Sequence, residues 1–337
     1  MTVLGIESSC DETSAAIIVD GFVRSNVISS QLVHQKYGGV VPELASRAHL
    51  QMIIPVLEEA LTRAHISKNE IEAIAVSHSP GLMGSLLVGV NFAKAFSYGL
   101  KIPFVGVNHL EGHIYSTFLS PPVPAYPFLS LIVSGGHTRL ILVRAPFEHE
   151  IIGETLDDAA GEAFDKVAKM LNIGYPGGPI IDRLAKKGNP RAIHFPRSMK
   201  NSDTFDFSFS GLKTSVLYYL RDNLLLPKNE YENIEENILA DICASFQEAV
   251  VDVLSAKTII AAKKFSVKRI SVAGGVSANS ALRTKMQQLC EENNFNLHIP
   301  KFEYCTDNAA MIAFVGALKL EQNIQSDFTL VPVPNGY

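Results

Sequence analysis

Several absences narrow the field before any motif is read. The 337-residue chain has only four cysteines, Cys10, Cys243, Cys290 and Cys305, and no C-x-x-C pair. Neither a zinc ribbon nor a disulfide framework is legible in that spacing, and a reducing cytoplasm is the expected compartment. No segment reaches the roughly 18 consecutive apolar residues of a membrane span. The chain starts Met1-Thr2-Val3-Leu4-Gly5-Ile6 and runs into Glu7 without a basic stretch, which predicts no secretory signal. A cationic excess is lacking too: 29 Lys plus Arg face 34 Asp plus Glu, a net charge of −5. That balance leans against a nucleic-acid partner. Neither G-x-x-x-x-G-K-[ST] nor a strand-adjacent G-x-G-x-x-G occurs, so the P-loop and the dinucleotide fingerprint do not apply.

What is present is ample apolar material, 47% of residues, and a length that predicts about two domains. Apolar runs of strand length alternate with helical patterns, the signature of an α/β protein. One unit occurs twice. Val3–Ile6 leads through a small polar turn, Glu7–Ser14, into Ala15–Val19; about 126 residues later Leu129–Val133 leads through Ser134–Thr138 into Arg139–Val143. Each copy is followed by further strand–helix units, and Pro121-Pro122-Val123-Pro124 is the best linker candidate. Two similar α/β lobes around a cleft are expected. One would comprise residues 1–120 with about 308–337, the other 121–307.

Four glycine-containing turns stand between these elements: Glu7–Ser14, Ser134–Thr138, Tyr175-Pro176-Gly177-Gly178-Pro179 and Gly274–Asn279. Successive N–H groups at such turns can cradle a phosphate. One would be weak; four favour a nucleotide between the lobes. The sharpest local signal is Asn108-His109-Leu110-Glu111-Gly112-His113. Positions four apart share a helix face, so His109 and His113 can hold one metal ion. Glu111 lies two residues on, about 200° around the helix from His109, which excludes the zincin protease geometry. A third ligand is required. Asp11, Glu12, Asp157, Asp158, Asp165 and Asp307 are the candidates, and spacing alone does not separate Asp307 from Asp11. Two imidazoles and a carboxylate leave positions open for substrate, as in iron(II) or catalytic zinc sites. Asp158, Glu162 and Asp165 would share one face of a helix opening at Asp157, with ribose hydroxyls as possible ligands. His34, His49, His65, His78 and His149 read as surface or core histidines.

Charge is uneven. Residues 183–200 hold Arg183, Lys186, Lys187, Arg191, Arg197 and Lys200 with no acid, a second basic run spans Lys257 to Arg269, and residues 228–252 hold seven acids against one lysine. A net −5 is therefore an average, and a basic rim for nucleic acid is compatible with it.

The segments Gly5–Ser14, Asn108–His113, Val133–Thr138, Gly161–Lys166, Tyr175–Pro179, Phe207–Lys213 and Gly274–Asn279, in order from about residue 3 to 315, resemble the bacterial TsaD family (also called Gcp or YgjD) of tRNA threonylcarbamoyladenosine transferases. The resemblance implies the two-lobed actin/hexokinase/Hsp70-like (ASKHA) fold. It implies transfer of the threonylcarbamoyl group from threonylcarbamoyl-AMP to N6 of the adenosine 3′ of the anticodon, in tRNAs reading codons that begin with A. It implies a metal ion, iron(II) or else zinc, on His109, His113 and Asp307. Acyl-adenylate contacts are implied at Ile132, Val133, Ser134, Gly135, Gly136, Asp165, Gly178, Asp182 and Asn279. Asp11 or Glu12 would assist proton removal. Ile132 stands where the archaeal and eukaryal branch has a metal-binding tyrosine, so substrate or water should fill that place. Implied partners are a TsaB-like paralogue, a TsaE-like ATPase and a TsaC-type enzyme that supplies the intermediate, with no membrane. The helix Glu43–Ala64, with Leu44, Ala48, Met52 and Val56 on one side, is a candidate interface. A small-molecule kinase and a non-catalytic scaffold on the same fold are the alternatives.

Overall fold

The computed structural model describes residues 1–200, 202–223 and 234–335. Two compact units divide the chain, Met1–Val123 with Pro300–Tyr337, and Pro124–Ile299.

The first unit is built on the sheet β3-β2-β1-β4-β5, formed by β1 (Thr2–Glu7), β2 (Glu12–Val19), β3 (Phe22–Ser30), β4 (Ala73–Ser79) and β5 (Phe104–Asn108). β1 runs antiparallel to β2 and parallel to β4. Its residues Val3 to Ile6 are buried without alternation because helices cover both faces, the arrangement that favours continuous apolar runs. On one face Leu4, Ile6, Ile17 and Val76 pack with Ile53, Val56, Leu57 and Ala60 of α1 (Pro42–Ala64) and Val90 and Ala93 of α2 (Met83–Leu100). On the other lies α9 (Ala309–Glu321), which belongs to this unit although its sequence comes last. Gly5 permits that close approach: a Cβ there would stand 2.8 Å from Ala313 Cβ and 2.9 Å from Ala313 N.

The second unit repeats the plan. β6 (Phe128–Val133), β7 (Thr138–Ala145), β8 (Glu148–Glu154), β9 (Arg269–Ala273) and β10 (Asn296–His298) form the sheet β10-β9-β6-β7-β8. β6 is antiparallel to β7 and parallel to β9, as β1 is to β2 and β4. The duplicated hairpin thus heads two sheets of identical strand order. Leu129, Leu131, Val133 and Leu140 share one core with Phe164 of α4 (Ala160–Met170), Ile181 of α5 (Gly177–Ala185), Val216 of α6 (Ser210–Asn223) and Phe246 of α7 (Glu236–Lys264). The helix α8 (Ser280–Glu292) follows the Gly274–Asn279 turn, and no helix among the described residues is long and apolar enough to cross a membrane.

Candidate metal centre

β5 ends at Asn108, whose side chain accepts the N–H groups of Leu110 (2.8 Å) and Glu111 (3.3 Å) and so starts the short helix α3 (His109–Tyr115). His109 and His113 lie one turn apart on its buried side, with ring centroids 4.7 Å apart. Glu111 points elsewhere and pairs with Lys319 of α9 at 2.6 Å. The third group arrives from the far end of the sequence. Asn308 caps α9 by accepting the Met311 N–H, and Ser14 Oγ accepts the Ala309 N–H; Asp307, one residue ahead of the cap, is therefore free of helix duty. Its Oδ1 lies 3.1 Å from His113 Nε2 and 3.4 Å from His109 Nε2. One donor atom from each of the three residues falls within 4.8 Å of the others.

These separations suit a single ion. At a metal–donor distance of about 2.1 Å, neighbouring donors stand about 3.0 Å apart in an octahedron and about 3.4 Å apart in a tetrahedron. Without an ion the site is a charge cluster. Burial alone would lower the pKa of the His109 imidazole, but the charges of Asp307 and Glu7 outweigh it and hold it well above the ordinary value. Burial would raise Asp307, yet the two imidazoles pull its carboxyl well below the usual range. For His113 burial wins and the pKa falls.

The β1–β2 turn brings further acids to this cluster. Burial, then the charges of Asp307 and Asp11, push the Glu12 carboxyl well above its ordinary value, and Asp11 is hydrogen-bonded to it. Burial likewise raises the Cys10 thiol. His49 and His34 are buried core histidines: His49 meets Thr13 Oγ1 at 2.8 Å and the Cys10 carbonyl at 3.0 Å, and His34 meets Gln31 Oε1 at 2.8 Å.

In the second unit, Ile132 and Val133 are fully buried on β6, and the turn beyond them is held by the Ser134 N–H donating to the His137 carbonyl (2.8 Å). Gly135 and Gly136 are exposed, with open space where a Cβ would sit; Gly178, on the first turn of α5, is equally open. The polar residues expected beside them serve as helix caps in this structure. Asp165 accepts the Gly177 N–H at the start of α5 (2.7 Å), Asp182 accepts Ser280 Oγ at the start of α8 (2.7 Å), and Asn279 accepts the Leu282 N–H. The expectation for the helix after Asp157 is overturned. Asp158 does not share a helix face with Glu162 and Asp165, because α4 begins only at Ala160, after Thr138 Oγ1 has accepted the Ala160 N–H. Asp158 instead pairs with Lys166 (2.7 Å) and Lys213 (2.9 Å), and Asp157 caps α6 by accepting the Phe209 and Ser210 N–H groups.

The model of the TsaD family, tRNA N6-adenosine threonylcarbamoyltransferase, matches residues 22–314. The tRNA N6-adenosine threonylcarbamoyltransferase of Salinibacter ruber is 54% identical over 331 residues, covering 98% of each chain, and that of Thermosipho africanus is 51% identical over 336 residues, 99% of each. The chain belongs to this family. Solved structures share the fold at low identity. HypF of T. kodakarensis superposes with a TM-score of 0.62 at 15% identity over 95% of this chain and 48% of that one. Component A of the (R)-2-hydroxyglutaryl-CoA dehydratase of Acidaminococcus fermentans gives 0.55 at 15% identity over 95% and 99%. Both are ASKHA-like, in agreement with the fold class expected from the TsaD resemblance.

For a TsaD-family chain the disposition of basic residues matters, and here the sequence misled. Lys257 is not on a rim: it is buried, donating to Ser202 Oγ (2.9 Å) and the Thr204 carbonyl (2.7 Å). In the 183–200 stretch, Lys187 pairs with Glu236 and Arg197 with Asp252, so the acidic run of α7 neutralises part of it. Glu230 and Glu232 of that run lie outside the described residues. Arg191 and His194 stay exposed beside a groove of about 450 Å³ that Arg197 and Lys285 also line, each paired there with Asp252 or Glu248. On α1, Val56 faces the core, whereas Leu50 and Ile54 are exposed. Glu7 was missed altogether. Its signal was a lone carboxylate at the end of an otherwise apolar strand.

Proposed function

We infer that this member of the tRNA N6-adenosine threonylcarbamoyltransferase family works with one divalent metal ion held by His109, His113 and Asp307. The reaction is transfer of the threonylcarbamoyl group from threonylcarbamoyl-AMP to N6 of the adenosine 3′ of the anticodon in tRNAs reading codons that begin with A. The observation that carries the metal reading is the convergence of three donors, with the carboxylate 194 residues in sequence from the nearer histidine, in a chain that the family model matches from 22 to 314. Two imidazoles and one carboxylate suit iron(II), with zinc as the alternative.

An exocyclic amine is a weak nucleophile, and the acyl-adenylate compensates because AMP is a stable leaving group. N6 bonds to the carbamoyl carbon, the bond from that carbon to the phosphate oxygen breaks with its electron pair going to AMP, and N6 loses one proton. The protein has chiefly to position the reactants and offset charge. When bound, the ion supplies a Lewis acid for charge developing on an acyl oxygen. Glu12 in its ionised form is assigned the N6 proton, its basicity raised by burial and by the charges of Asp307 and Asp11, with Asp11 as its hydrogen-bonded companion. The amides of Gly135, Gly136 and Gly178, where nothing lies within 4 Å of a Cβ position, are assigned to the adenylate phosphate, and Ile132 to Ser134, Asp165, Asp182 and Asn279 to shaping its surroundings.

The test is reconstitution with tRNA, threonine, bicarbonate, ATP and the companion proteins, reading the modified nucleoside by mass spectrometry. His109→Ala and His113→Ala should each abolish product; undiminished transfer would sink the metal reading. Supporting partners are a TsaC-type enzyme to make the intermediate, a TsaE-like ATPase and a TsaB-like paralogue, all in the cytoplasm. Exposed Leu50 and Ile54 of α1 and Met83 and Leu87 of α2 are the surface we assign to the paralogue. The tRNA is assigned to Lys186, Lys187 and Arg191, and charge reversal there should lower tRNA affinity and flatten its salt dependence.

A further inference from the structure

Glu7 is a fully buried carboxylate with both oxygens engaged. Oε1 accepts the Ser9 N–H at 2.6 Å, and Oε2 stands 3.0 Å from His109 Nδ1. Ser9 Oγ lies 3.2 Å from the same ring nitrogen. We propose that Glu7 is the positioning residue of the metal centre, holding His109 in its Nδ1–H tautomer so that the Nε2 lone pair is aimed at the ion. The proposal rests on the metal reading given above.

The argument is one of donors and acceptors. An ionised carboxylate has no hydrogen to give, so the atom facing it must carry one. A neutral imidazole protonated at Nδ1 keeps a single in-plane lone pair, at Nε2, and that is the nitrogen on the Asp307 side, 3.4 Å from Oδ1. A serine hydroxyl can donate or accept and would admit either tautomer. Glu7 removes the ambiguity, and its charge raises the basicity of the ligand nitrogen. His113 has no such support: its Nδ1 is buried with no hydrogen-bond partner among the described residues. The two histidines are therefore unequal, with His109 oriented in advance and His113 held by packing.

The probes are Zn²⁺, titrated into the full chain against a chromophoric chelator, and Co²⁺, for its visible ligand-field spectrum. Glu7→Gln keeps the shape but offers an amide N–H that can donate to Nδ1 and admit the wrong tautomer. Zn²⁺ affinity should fall about 10–100-fold, the usual effect of losing such a supporting partner, and the Co²⁺ bands should shift. In a His109→Ala background, Glu7→Gln should change affinity by less than about twofold, because its route to the metal has gone. Ser9→Ala should stay within about threefold of the parent chain, and this variant decides the matter where Glu7→Gln does not fold. Wild-type affinity in Glu7→Gln, an equally large further loss in the His109→Ala background, or a tenfold loss in Ser9→Ala each overturns the role of Glu7. A parent chain that binds neither ion overturns the metal reading and this proposal with it.

Discussion

Gly5→Ala tests how closely the metal centre depends on the seat of α9. The new Cβ would stand 2.8 Å from Ala313 Cβ and 2.9 Å from Ala313 N, where carbon contacts normally lie about 3.5–4.0 Å apart. Relief requires the helix to withdraw by about 1 Å, since the still nearer Ala309 carbonyl oxygen and the Ala313 N are its own backbone and the Ala313 Cβ is fixed to it. Overpacking of this kind costs about 1–3 kcal/mol, offset by about 0.4–1 kcal/mol from the stiffer unfolded chain. The net loss, up to about 2.6 kcal/mol and about 1.3 kcal/mol at the middle of these ranges, lowers the melting temperature of a unit of this size by about 3–5 °C at that middle value. Asp307 rides at the foot of α9, so its distance from His113 Nε2 should open from 3.1 Å to about 4 Å, beyond the roughly 3.0–3.4 Å of neighbouring donors on one ion. Calorimetry and Zn²⁺ competition read the two effects separately. The control is Gly99→Ala near the end of α2, where nothing lies within 4 Å of the added carbon and helix propensity should stabilise by up to about 1 kcal/mol. Unchanged melting of Gly5→Ala refutes the tight packing; lowered melting with undiminished Zn²⁺ affinity refutes the coupling to the site.

Other expectations are simpler. An ion at 100 times its Kd adds about 2.7 kcal/mol, so dialysis against a chelator should lower the parent melting temperature by about 5–11 °C and leave His113→Ala unmoved. Burial pushes the Cys243 thiol up to about 12, and burial with the charge of Glu291 pushes Cys290 up to about 11. Neither should react with a disulfide reagent at pH 8 until denaturant is added, and labelling of either within minutes in the folded chain contradicts their burial. Burial would raise Asp157, but bonds from Ser208, Ser210 and the Phe209 and Ser210 N–H groups hold it below the usual carboxylate range. Its contribution is present above the unfolded value of about 3.9 and lost as pH falls through the folded one; Asp157→Asn should flatten the melting curve below about pH 4, and an unchanged acid limb would speak against the cap.

The parts legible in the sequence were those governed by local periodicity. The repeated hairpin was readable because Val3–Ile6 and Leu129–Val133 are unbroken apolar runs beside small polar turns, and it forms the β1–β2 and β6–β7 pairs of the two sheets. His109 and His113 were readable because one helical turn relates them. Asp307 and Asp11 could not be separated, because what distinguishes them is that Asn308 takes over the capping of α9. Asp158 was misplaced for a related reason: Thr138, on another element, sets where α4 begins. Lys257 looked like a surface cation because sequence does not show the Ser202 hydroxyl and Thr204 carbonyl that meet it inside. Where a tertiary contact decides the role of a residue, composition and spacing are silent.

The return of α9 to the first sheet also sets the order in which the protein can be finished on the ribosome. His113 and Asp307 are 194 residues apart, so at about 5–20 residues per second the second emerges about 10–40 s after the first. During that interval every element of the second sheet is made, while the Gly5 side of the first sheet waits uncovered. The nascent chain thus carries an unfinished apolar face for most of its synthesis, and His109, His113 and Asp307 can come together only after nearly the whole polypeptide has been made.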